Sequence, residues 1–94
     1  MAKNIPGLEG YRRGRDQLAR YRAAMFPRGM VVRVEDESFD GLGITAVDGE
    51  CPVDHVPVLV ESGNVWWYAI ENCRLFPSPP PRWIREVLEK RKKQ

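Results

Sequence analysis

Between Met30 and Phe76 apolar residues recur at every second position in short runs, and turn signals cut the runs apart. Met30, Val32 and Val34 alternate with Val31 and Arg33. Leu42, Ile44 and Ala46 alternate with Gly43 and Thr45, and Val56, Val58 and Val60 with Pro57 and Leu59. A period of two sends successive side chains to opposite faces, so each run predicts a strand with one face inward. Val65 to Ile70, an unbroken apolar run, predicts a fourth strand, and Cys73 to Phe76 a short fifth after Glu71-Asn72. Turns are expected at Asp48-Gly49, in a loop from Glu50 to His55, and at the tight hairpin connection Glu61-Ser62-Gly63-Asn64. Glu35 to Gly41 reads as an acidic loop holding one aromatic, Phe39. Pro57 has no N–H to give a ladder, which puts the third strand at an edge or gives it an irregular start. Short strands at this density predict a small closed barrel, because an open sheet of this size leaves two edges exposed.

Helical periodicity flanks the strands. From Glu9 to Phe26, residues Tyr11, Gly14, Leu18, Tyr21 and Met25 fall on one stripe, with Arg12, Arg13 and Arg20 opposite. Pro6-Gly7 and Pro27 punctuate this helix. Pro77-Ser78-Pro79-Pro80-Pro81 predicts an extended spacer, and a second helix runs from Arg82 to Lys92. Its stripe is Trp83, Ile84, Val87 and Leu88, and it carries Arg82/Glu86 and similar i, i+4 pairs. The whole is 94 residues and 10.8 kDa, which suits one compact domain. It divides into a basic helical arm (1–28), a β unit (29–76), and a Pro-rich spacer with a basic helix (77–94). The longest apolar run is too short to cross a bilayer, and the N-terminus lacks the apolar stretch of a signal peptide, so a cytoplasmic location is expected.

The net charge of +2 hides a segregation. Residues 1–30 carry +5, residues 31–76 carry −7 and residues 77–94 carry +4. Basic arms around an acidic centre either contact nucleic acid or fold back on that centre.

The runs Gly29-Met30-Val31-Val32-Arg33-Val34, Phe39-Asp40-Gly41-Leu42-Gly43 and Val56-Pro57-Val58-Leu59-Val60, followed by Gly63-Asn64 and Trp66-Trp67-Tyr68, resemble a bacterial or phage Src-homology-3-like barrel of the mind-bomb or KOW type. The resemblance covers residues 29–76 and implies a mainly β fold, a five-stranded barrel, here with an α-helix added at each end. It also implies a peptide groove between the first long loop and the following hairpin, lined by aromatics and edged by carboxylates. The matching residues are Glu35, Asp36, Glu37, Phe39 and Asp40, with Trp66, Trp67 and Tyr68.

Trp66 and Tyr68 share one strand face and Trp67 takes the other, so one tryptophan is expected in the core and the other outside. An exposed indole beside carboxylates suits a basic or Arg-containing partner. Nucleic acid is the alternative partner, held at its phosphates by Arg12, Arg13, Arg20, Lys90, Arg91, Lys92 and Lys93. The acidic β unit itself repels phosphate. Pro77-x-x-Pro80-x-Arg82 has the spacing of a polyproline ligand but reads better as a spacer. Cys51, Asp54, His55 and Cys73 lack the paired spacing of a structural zinc site, and the cysteines read as free thiols. No nucleophile–base pairing is evident. The expectation is a binding module without enzymatic activity, cofactor, metal or membrane partner. It engages a protein and has the option of a homodimer through the terminal helices. A phage-type inhibitor of a host enzyme is a further reading.

Overall fold

The computed structural model describes residues 8–92. Helix α1 spans Leu8–Met25, strands follow at β1 Val31–Asp36, β2 Phe39–Thr45, β3 His55–Leu59, β4 Val65–Ala69 and β5 Cys73–Leu75, and helix α2 spans Arg82–Lys92. A single 3-10 turn, Ile70–Asn72, separates β4 from β5. All five strands pair antiparallel in the order β4-β3-β2-β1-β5. The result is a mixed α/β architecture, an open five-stranded sheet with two helices.

The expected closed barrel does not form. Strands β4 and β5 are the two edges, and no ladder joins them. Strand β5 is only three residues long, and its pairing is taken up by β1 at Val32↔Leu75, Arg33↔Arg74 and Val34↔Cys73. The expected acidic loop is also absent. Glu35 and Asp36 extend β1, Phe39 and Asp40 open β2, and Glu37-Ser38 alone turn the chain.

Strand β2 serves both halves of the sheet. It pairs with β1 along its length, from Val31↔Ile44 to Asp36↔Phe39, but with β3 only at Ile44↔Leu59 and Thr45↔Val58. Pro57 explains where that second ladder stops. The Ala46 N–H donates to the Pro57 carbonyl at 2.9 Å, and proline has no N–H to return the bond. Of the two expected placements the edge is not found: β3 is an internal strand, and its ladder to β2 stops short of Pro57.

The core occupies one face. Val32 and Val34 from β1, Val56 and Val58 from β3, Tyr68, Cys73, Val60 and Phe26 form one cluster, with Phe39 and Ile70 packed against it. Ile44, on the opposite face by register, is fully buried, and within α2 Ile84 is fully buried. Burial of a valine or isoleucine side chain stabilises by roughly 1.5–3 kcal/mol. The core therefore rests on β-branched residues placed two apart, the pattern legible in the sequence.

Thr45 fastens the α1–β1 turn to this sheet. It is fully buried, and its hydroxyl donates to the Pro27 carbonyl while accepting from the Met30 N–H at 2.8 Å. Its backbone adds two bonds, from the Gly29 N–H and to the Met30 carbonyl, both at 2.9 Å. Thr45→Val keeps the shape and removes the hydroxyl, leaving both partners unpaired. It is expected to cost about 1–2 kcal/mol, read as a lower urea midpoint with an unchanged slope.

Both cysteines are buried free thiols. Burial, then the charge of Asp36, pushes Cys73 up to about 11, and burial also raises Cys51. A thiol raised on folding favours the native state while protonated. That stability is complete at neutral pH and falls as pH climbs from the ordinary thiol range through about 11. Native protein at pH 8 is expected to leave Cys73 unmodified by a thiol reagent, and unfolding in urea to release it; rapid native labelling would contradict the packing described.

Candidate binding groove

Register assembles the groove. In β2, Phe39, Gly41 and Gly43 alternate on the core face, and in β4 Trp66 and Tyr68 do the same, opposite Val58 and Val56. The Phe39 ring lies over Gly41, where an added Cβ would come within 2.9 Å of the ring. Gly41 thus gives the ring its bed. Phe39 stacks on Tyr68 with centroids 5.7 Å apart and planes inclined by 27°, within the range in which aromatic pairs attract.

Between the β1–β2 and β3–β4 hairpins these rings line a cleft of about 460 Å³ with Ser38, Val60, Glu61, Ser62 and Trp66. Tyr68 forms its floor at 7% exposure, and Trp66 stands at its side at 54%. The expectation that one tryptophan enters the core is corrected. Trp67 is also exposed, at 42%, and Tyr68 takes the buried position. Trp66 sits one residue in from the start of an edge strand, where no further strand closes over it, whereas Tyr68 lies deeper beside Phe39.

Asp36 belongs to the groove side. It follows Val32 and Val34 on their face of β1, and its Oδ1 accepts from the Ser38 N–H and hydroxyl, both at 3.4 Å. Burial first, and then the nearby Asp36 charge, raise the Tyr68 phenol above its ordinary range. Tyr68 is therefore neutral at physiological pH, and the negative charge at the groove comes from Asp36 and Glu61.

The remaining candidates lie elsewhere. Glu35 and Asp40 alternate onto the opposite face, where both engage Arg33, at 3.5 and 2.7 Å. Trp67 faces that side too, its indole N–H donating to Asp48 Oδ2 at 2.9 Å. The Glu50 backbone N–H, and next this indole, hold the Asp48 carboxyl below the usual carboxylate range. The structure thus separates Phe39, Trp66, Tyr68 and Asp36 from Glu35, Asp40 and Trp67. Sequence reasoning missed Glu61 and Ser62 as lining residues. Their hairpin was legible, but not that it would stand opposite the β1–β2 turn.

Among the basic residues of the alternative reading, Arg20 and Lys90 are exposed, while Arg91 is half-buried with its Nη1 covered. The Arg12, Arg13 and Lys92 side chains and Lys93 lie outside the described residues. Arg22 has a structural role. Its Nη1 donates to the carbonyls of Pro52 at 2.7 Å and His55 at 3.1 Å, tying α1 to the β2–β3 loop. Arg82 pairs with Glu86 at 2.8 Å as its i, i+4 spacing predicts.

Other chemistry is sparse. His55 Nδ1 lies 2.7 Å from Asp54 Oδ1, a contact that lowers the Asp54 carboxyl. Among the described residues no three of the His, Cys, Asp and Glu side chains converge as a metal site would require. No described helix is long and apolar enough to cross a membrane. No family model, curated protein or solved structure matches the chain.

Proposed function

We propose that the chain is a small, non-enzymatic binding module whose aromatic groove takes a segment of a protein partner bearing an arginine or lysine. The observation that carries the reading is Trp66, a large indole left 54% exposed beside Phe39 and Tyr68 in a cleft lined by Glu61, with Asp36 bonded to the lining Ser38. Tryptophans that line a concave patch are among the residues that dominate protein interfaces. The aromatic faces and two carboxylates supply both halves of a site for a cationic side chain, ring stacking and charge pairing. The Src-homology-3-like reading belongs to this proposal. It is supported by the five antiparallel strands, the meander from β1 to β4, and the return of β5 to β1.

Fluorescence anisotropy of labelled duplex and single-stranded DNA tests it against the nucleic-acid alternative. The groove reading predicts no binding at micromolar protein. Binding with a steep salt slope, lost on Arg20→Ala, would transfer the function to the basic helices.

A further inference from the structure

The groove offers a cation many aromatic faces and few hydrogen-bond acceptors. Phe39, Val60, Trp66 and Tyr68 line it with apolar or aromatic surface. Two of these rings are in place before any ligand arrives, because Phe39 lies on Gly41 and Tyr68 is buried beside it with centroids 5.7 Å apart. The polar lining is largely committed. The Ser38 hydroxyl donates to Asp36 Oδ1, which also takes the Ser38 N–H, both at 3.4 Å. The Ser62 hydroxyl already accepts from Asn64 Nδ2 at 3.1 Å. Glu61 is the one carboxylate among the described lining residues, and neither it nor Asp36 is in an ion pair with another described residue. Negative charge is therefore present, but acceptors for a cluster of N–H groups are not.

A lysine ammonium carries three N–H donors and a guanidinium five. Seated against aromatic faces, either leaves donors without partners, and each donor taken from water unpaired weakens binding. Methyl groups on the nitrogen remove those donors, keep the positive charge and meet the ring faces as apolar surface. We infer, resting on the groove reading above, that the preferred ligand is a partner lysine whose ammonium is N-methylated. Its head sits beside Trp66 and Phe39 over the Tyr68 floor, and Glu61 and Asp36 balance its charge. Unmodified lysine and arginine enter the same groove more weakly.

The test titrates the full chain with capped alanine peptides that differ only in a central side chain, following the Trp66 indole N–H resonance up to about 5 mM peptide. The side chains are trimethyl-lysine, lysine, arginine and a neutral isostere in which a tert-butyl group replaces the trimethylammonium. Trimethyl-lysine is expected to bind at least about fivefold more tightly than each of the others. Glu61→Gln is expected to weaken it about threefold through the lost charge. Trp66→Ala, checked for folding by circular dichroism, abolishes the preference. Choline presents the head group without a chain and is expected to bind at least about tenfold more weakly than the peptide; equal affinity overturns the assignment to a partner lysine. Lysine or arginine bound as tightly as trimethyl-lysine overturns the inference and leaves the groove reading standing. The isostere bound as tightly shows that charge plays no part and overturns both. A Trp66 resonance unmoved by every peptide also overturns both.

Discussion

Gly43→Ala is expected to lower folding stability by about 2–3 kcal/mol, more than the same change at Gly41, the other strand glycine. A Cβ at Gly43 would run into Val58 Cγ1 and stand 2.7 Å from the Leu59 carbonyl oxygen. Neither obstacle yields cheaply. Val58 is fully buried in the core cluster, and the Leu59 oxygen belongs to the backbone of β3. Gly43 is also where β2 passes from pairing with β1 alone to pairing with both neighbours, since its next residue, Ile44, faces Val31 on one side and Leu59 on the other. The close approach of β2 to β3 is what carries β4, and with it Trp66, round to face Phe39. Gly43→Ala is therefore expected to lower the urea midpoint and to loosen the groove together. A control at Gly49, where an added Cβ meets nothing within 4 Å, is expected to stay within about 0.5 kcal/mol of the parent. Equal effects at the two glycines would contradict the packing described.

Trp66→Ala is expected to do the reverse, leaving the fold intact while removing at least about 2 kcal/mol of partner binding. At 54% exposure the indole contributes little to the core, so the stability change should stay within about 0.5 kcal/mol. Trp67→Ala provides the comparison. Trp67 is nearly as exposed and lies next in sequence, yet it faces away from the groove and bonds Asp48. Loss of binding at Trp66 without loss at Trp67 is the signature of a one-sided site. Equal losses would place the contact at the edge of β4 rather than in the cleft.

The strands were legible because their inward residues are β-branched and spaced by two, and Val32, Val34, Val56 and Val58 are all fully buried. Register was not legible, since it depends on which strand lies beside which. The stretch Glu35–Gly41 shows the consequence. Its charges signal a loop, and its turn, Glu37-Ser38, contains none of the Asn-Gly or Gly residues that announce a two-residue hairpin. Only pairing of Asp36 with Phe39 reveals that the strands continue through it. The tryptophans show a different limit. Alternation correctly put Trp66 with Tyr68 and Trp67 opposite, but depth along an edge strand, not face, decided that Tyr68 is buried. The α1 stripe was likewise visible as a period, and period alone does not say whether anything covers it. The barrel stays open because the two edge strands do not meet: β5, three residues long, pairs with β1, and no ladder joins it to β4.

The claim that the groove is a protein-binding site is tested most directly by selecting displayed random peptides on the full chain while depleting those that also bind Trp66→Ala. The survivors are expected to share an arginine or lysine beside apolar residues, to shift the Trp66 indole N–H resonance on titration, and to leave that of Trp67 in place. Failure to enrich any peptide, or enrichment of peptides that bind Trp66→Ala as tightly as the parent, would contradict it.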